Sequence, residues 1–183
     1  MRPTPILLLS TLLATSAHAA TTAGSEAIGP LIGLMNERLA LALPVAKAKW
    51  ESGAAVQDRP REHQVLERVA AQAPSQGVPA AWARQLFSAQ IEASKTLQYF
   101  YIQSWLAGSH TGFDTPARPL SEIRPQLDQL QARILTQMAL AEPYRTHPDC
   151  PLKVLEAITQ QTPDTFTRAA LARASAELCA SQG

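Results

Sequence analysis

Arg38 and Lys49 stand 11 residues apart. At 100° per residue on a single helix, that spacing is three turns plus about 20°, so both cations share a face, roughly 16 Å apart along the axis. Ser94 and Gln98 are spaced i and i+4, which brings a hydroxyl and a carboxamide onto one face of a second helix. Between these pairs, Asp58, Arg61 and Glu62 fall within one turn, where the N-terminal amides of a helix point outward. Arginine can grip carboxylates bidentately, whereas lysine is a compact point charge with three donors. Each residue alone would pass for an ordinary solvated position. What gives these residues weight is their combination.

The elements that must position these residues are helical. Apolar residues recur at steps of three and four along almost the whole chain, and no alternating β-branched run suggests a strand. Ser25 is expected to cap a first helix running towards Trp50, kinked by Pro44 and ended by Gly53, with Ile28, Leu31, Ile32, Met35, Leu39 and Val45 turned inward. Asp58 caps a second helix with Pro60 in its first turn, and that helix stops near residues 74–77. A third, longer helix runs from about Pro79 to Gly108, with Trp82, Leu86, Ile91, Leu97, Tyr101 and Trp105 as its apolar stripe. Residues 107–119, rich in Gly, Ser, Thr and Pro, form a linker. A fourth helix carries Leu120, Ile123, Leu127, Leu130, Ile134 and Met138, and shorter helices over 151–160 and 163–181 complete the chain. The expected architecture is all-α, a single domain of about six helices. Trp50, Trp82 and Trp105 read as core aromatics.

Composition narrows the function classes. With 46% hydrophobic and 17% charged residues in 183, the chain is neither disordered nor a charged tail. Residues 1–19 read as an export signal: Arg2 is the positive start, residues 6–13 (ILLLSTLL) the short apolar core, and Ala17-His18-Ala19 the cleavage pattern before Ala20. Such a core is far too short to span a bilayer, and no other segment reads as a span. Removing Arg2 takes the formal charge from +1 to zero. A neutral chain without a basic block is a poor nucleic-acid binder, since phosphate neutralisation carries much of that affinity. The protein is therefore expected to be exported, periplasmic or secreted, with no membrane attachment after processing. Its two cysteines, Cys150 and Cys179, are expected to pair in an oxidising compartment as a structural staple, with buried thiols as the alternative. His18 leaves with the signal. His63, His110 and His147 lack ligand spacing, so no metal site is expected, and His63 should face solvent.

Three blocks carry a family resemblance: NERLALALPVAKAKW (36–50), VQDRPREHQVL (56–66) and FSAQIEASKTLQ (87–98). Together they resemble the secreted, gamma subclass of AroQ-type chorismate mutases. The likeness continues more weakly through PLSEIRPQLDQLQARIL (119–135) and the late cysteines. It implies the AroQ all-helical fold with a C-terminal disulfide, homodimerisation, and a Claisen rearrangement of chorismate to prephenate on the route to Phe and Tyr. That reaction is unimolecular and needs no cofactor, only an enzyme that holds a flexible dianion in a compact conformer and stabilises the separating charge.

The resemblance also assigns roles. Arg38 is implied to bind a substrate carboxylate, and Lys49 to reach the ether oxygen and a carboxylate. Asp58 and Glu62 fall where the family contacts the ring hydroxyl, with Arg61 beside them. Ser94 sits near a carboxylate, Gln98 is the second ether-oxygen donor, Arg124 is a further arginine from the same chain, and Val65 walls the pocket. A glutamine donates without ionising, so activity is expected to vary little between roughly pH 5 and 9. The contrasting class is a non-catalytic helical binding module on the same scaffold. Keeping a full set of buried cations, which are costly to desolvate, argues for catalysis.

Overall fold

In the computed structural model, residues 12–109 and 112–180 are described, and the described residues are helical throughout apart from their connections. Seven α-helices follow in order: α1 (Leu12–Ala40), α2 (Ala42–Ser52), α3 (Arg59–Gln72), α4 (Ala80–Ala107), α5 (Leu120–Ala141), α6 (Cys150–Gln161) and α7 (Thr165–Ala174). The all-α expectation holds, with one helix more than anticipated because the first element is two.

The break falls at Leu41. Pro44 has no N–H to return to the carbonyl of Ala40, so the chain leaves the helix there. The Leu41 amide bonds the Arg38 carbonyl at 3.3 Å, and helical bonding resumes with Val45 to Leu41 at 3.1 Å. A kink was expected within one helix; the proline instead separates two. Ser25 is not a cap, because α1 already extends from Leu12, and its hydroxyl donates back to the Thr22 carbonyl at 2.8 Å. The expected leader, residues 1–19, lies partly outside the described residues. Gly53 closes α2 in the left-handed conformation, at φ 68°, and returns its amide to the carbonyl of Trp50 at 3.3 Å.

Asp58 caps α3 as expected, accepting from the Arg61 amide at 3.1 Å, with Pro60 in the first turn. A single 3₁₀ turn (Ala73–Gln76) ends that arm before Gly77. The last helix stops sooner than expected, at Ala174, because the chain then turns back to bring Cys179 to Cys150 as a disulfide.

The main core is the space between α1, α4, α5, α6 and α7, filled by Ile28, Leu31, Met35, Phe87, Ile134, Met138 and Leu171, all essentially inaccessible to solvent. Trp82 is buried there, its Nε1 donating to the Glu177 carbonyl at 2.8 Å. Trp50 and Trp105 lie outside this core, half-buried edge to face at 5.8 Å, and Phe113 of the α4–α5 linker packs on Trp105 at 4.9 Å. Residues 22–52 are long and apolar enough to cross a membrane, contrary to the sequence expectation, but the inward face of α1 is core of this domain.

Candidate active site

Opposite the disulfide, five helices wall one cavity. The end of α1 contributes Arg38 and α2 contributes Lys49; the start of α3 brings Asp58, Arg61, Glu62 and Val65; α4 brings Ser94 and Gln98; and α5 brings Arg124. All nine residues singled out in the sequence line this cavity, and all belong to one chain. Arg38 and Lys49 reach it from two helices rather than from one continuous face. Leu41, Val45, Ile91, Leu120, Ile123 and Leu127 supply apolar surface between the polar groups.

Arg38 is the most demanding group. It is 7% exposed, and neither its Nε nor its Nη1 has a hydrogen-bond partner. Its guanidinium lies over the Phe87 ring, 5.9 Å from the centroid. Burial, aided by repulsion from Arg61 and opposed by Asp128, pushes its pKa down to about 10. A buried guanidinium with free donors is costly unless an anion meets it.

Lys49 is buried as well, and its Nζ donates a short bond to the carbonyl of Val56, leaving two of its three N–H groups. Burial lowers its pKa below the ordinary 10.5. Asp58 and Glu62 oppose that fall, while Arg124 and Lys95 add to it. Gln98 is buried, its Nε2 donating to Ser94 Oγ at 3.1 Å while its Oε1 has no partner.

The start of α3 is tied to α4 and α5. Arg61 Nη2 meets Asp128 Oδ1 at 3.0 Å and its Nη1 meets Gln64 at 2.8 Å, while Arg68 holds the other oxygen of Asp128 at 3.0 Å. Arg124 lies 3.6 Å from Asp58 Oδ2, a half-exposed pair worth little by itself. Glu62 accepts from the Asp58 amide at 3.2 Å through Oε1 and from Lys95 at 3.2 Å through Oε2. His63 points to solvent, its side chain 77% exposed, 3.7 Å from Glu67.

Three polar lining residues escaped the sequence reading: Lys95, Asp128 and Gln131. Lys95 falls three residues before Gln98 and four after Ile91, which puts it on the same α4 face, so helical spacing could have found it. Asp128 sits one turn beyond Arg124, but its importance comes from pairing with Arg61 across the fold. Gln131 donates to Gln72 at 3.0 Å and closes the floor between α5 and α3.

Residues 30–99 match the family model described as chorismate mutase type II. Among curated proteins, the chain is similar to a secreted chorismate mutase of Yersinia pestis, 32% identical over 144 residues, which covers 76% of each chain. It is also similar to a monofunctional chorismate mutase of Enterobacter agglomerans, 31% identical over 133 residues, covering 73% of this chain and 72% of the relative. Among solved structures, a chorismate mutase from Burkholderia phymatum superposes with a TM-score of 0.81 at 37% identity, covering 87% of this chain and 99% of that one.

Proposed function

We propose, for a chain that belongs to the chorismate mutase type II family and rearranges chorismate to prephenate, a catalysis by conformer selection and electrostatics alone. In the reaction one C–O ether bond breaks as one C–C bond forms within a single molecule, with no group transferred to the protein. The barrier falls when the flexible substrate is held with its reacting ends together and when negative charge on the ether oxygen is met by fixed donors.

Arg38, Arg61 and Arg124 hold the two substrate carboxylates, with Ser94 as a hydroxyl donor beside one of them. Lys49 and Gln98 converge on the ether oxygen. Asp58 and Glu62 receive the ring hydroxyl, and Val65 with the other apolar lining keeps water out. The observation that carries this reading is the pair of unpartnered Arg38 donors in a buried cavity wall. Chorismate's carboxylate supplies the acceptor they lack, so substrate binding removes a standing cost rather than merely adding a contact.

Gln98 fits the same account. A serine hydroxyl both donates and accepts, so Ser94 pairs with either end of the amide. Turning that amide over gives its buried oxygen a donor and frees the N–H₂ to donate to the ether oxygen.

Like its relatives named as secreted, the protein works outside the cytoplasm, in the periplasm or the medium. We infer that residues 1–19 are removed before Ala20, that residues 20–183 form the catalytic domain, and that two copies associate as the resemblance implies. Intact mass of the exported protein and light scattering check these points.

The central test follows chorismate absorbance with residues 20–183 and with Lys49→Ala. Turnover by the first, lost in a Lys49→Ala protein of unchanged helicity, is the expected result. Undiminished turnover in folded Lys49→Ala would overturn the assignment of the ether-oxygen donor.

A further inference from the structure

Among the described residues, Lys95 is the one cation on the cavity wall that the reaction scheme leaves without a task. Its ammonium is buried between two carboxylates, 3.2 Å from Glu62 Oε2 and 2.7 Å from Glu92 Oε1. Glu92 lies on the same helix and is half in solvent, whereas Glu62 belongs to α3 and lines the cavity. The cross-helix bond to Glu62 therefore ties the start of α3 to the α4 face that carries Ser94 and Gln98.

Glu62 is held at both oxygens. Oε1 accepts from the Asp58 amide at the start of α3, and Oε2 accepts from Lys95. Each carboxylate oxygen has two acceptor positions, so both anchors are satisfied and acceptor capacity remains. We propose that Lys95 is a positioning residue for the rearrangement, clamping the Glu62 carboxylate so that its remaining lone pairs meet the substrate's ring hydroxyl. This rests on the mutase reading above and adds to it a residue that never touches the substrate.

The charge pattern supports the assignment. Five cationic side chains line the cavity against three carboxylates, leaving two positive charges for a substrate that carries two negative ones. Without Lys95, Glu62 is uncompensated and the wall falls one charge short of that match. Geometry and charge both direct the effect to ground-state and transition-state binding together, not to the ether oxygen. Loss of such uniform binding raises KM more than it lowers kcat.

The experiment compares chorismate kinetics of the processed chain, Lys95→Met, Lys95→Arg, Glu62→Gln and the Lys95→Met/Glu62→Gln double variant, with thermal melts of each. Lys95→Met is expected to raise KM about tenfold with kcat within about threefold, as for loss of one contact made equally in both states. Lys95→Arg should restore most of the loss. The double variant should be little worse than Glu62→Gln alone, since the two residues act as a unit. Unchanged KM in folded Lys95→Met, a matching fall in kcat instead, or fully additive losses in the double variant would each overturn the proposal. If Lys95→Met melts far below the parent, the Lys95→Arg and Glu62→Gln kinetics decide in its place: parental KM in Glu62→Gln refutes the clamp. Lys49→Ala run in the same assay separates the two readings, because its loss of turnover stands whatever Lys95 does.

Discussion

The two ends of this helical domain are built on opposite principles. At the disulfide end, α6 and α7 lay Val154, Ala157, Ile158, Ala170 and Leu171 onto α1 and α4 in a dry apolar core, and Cys150 is bonded to Cys179 across it. At the cavity end, the separate apolar cluster shrinks to Val45, Ala48 and Ile123, and the cavity wall mixes charged and neutral polar groups with apolar ones. One end gains stability from burial and from a shorter unfolded-state leash. The other holds Arg38 buried with its Nε and Nη1 unpartnered and Lys49 with its charge disfavoured, both of which cost stability in the unliganded protein. Stability and function are thus carried by different halves, and substitutions should affect one without the other.

Arg38→Met makes the sharpest test. Turnover is expected to fall about 10²–10³-fold, the scale of losing one key charge-stabilising donor. The melting temperature should rise, because burial disfavours the charged guanidinium and pushes its pKa down to about 10. Scanning calorimetry beside the absorbance assay decides it; a lower melting temperature would show that the cavity end is a stabilising region after all.

The converse is Cys150→Ser with Cys179→Ser. Opening a loop of 29 residues should cost roughly 3 kcal/mol of stability, read from denaturant midpoints, with kcat/KM unchanged while the protein stays folded.

Next in size is the pH response, where activity and stability should move in opposite directions. Lys49 binds its proton less tightly in the folded protein than in the unfolded chain, whose value is near 10.5. Unfolding in the window between the two values takes up a proton, so stability rises with pH there. Activity falls across the same window as the ammonium is lost, with its midpoint below 10.5, and stays level down to about pH 5 because Gln98 does not titrate. Kinetics and melts measured from pH 5 to 10.5 check both limbs, and an acid limb near neutrality would contradict the Gln98 role.

The smallest effect belongs to neither end. Arg133 meets Glu37 at 2.9 Å with both side chains more than half exposed, so Arg133→Ala should shift stability by no more than about 0.5 kcal/mol and leave turnover alone.

How much of this was legible beforehand follows from the range of each interaction. Helix periodicity, the Asp58 cap and the Gly53 stop are local, and they were readable from neighbouring residues. The same holds for the α4 face, although Lys95 was passed over on it. Pro44 marked a disturbance, but whether a proline bends a helix or ends it depends on what packs around the freed carbonyl, which only the folded chain decides. The early end of α7 at Ala174 came from the turn that delivers Cys179 to its partner, a long-range constraint that overrode local helical propensity. Pairings such as Arg61 with Asp128, 67 residues apart, leave no local pattern at all.

The balance of charge on the cavity wall also governs what the protein meets before anything binds. The whole chain carries a formal charge of only +1 in 183 residues, so at a distance it is nearly invisible to polyanions such as nucleic acid or an anionic membrane surface. The positive field is local to the cavity mouth and is screened beyond about 8 Å at physiological ionic strength. A small dianion that diffuses close enough feels a pull that a long polymer cannot exploit, because the polymer's other charges find nothing to answer them. For an enzyme working outside the cell's cytoplasm, among envelope surfaces and shed polymers, that short-sightedness keeps the cavity clear.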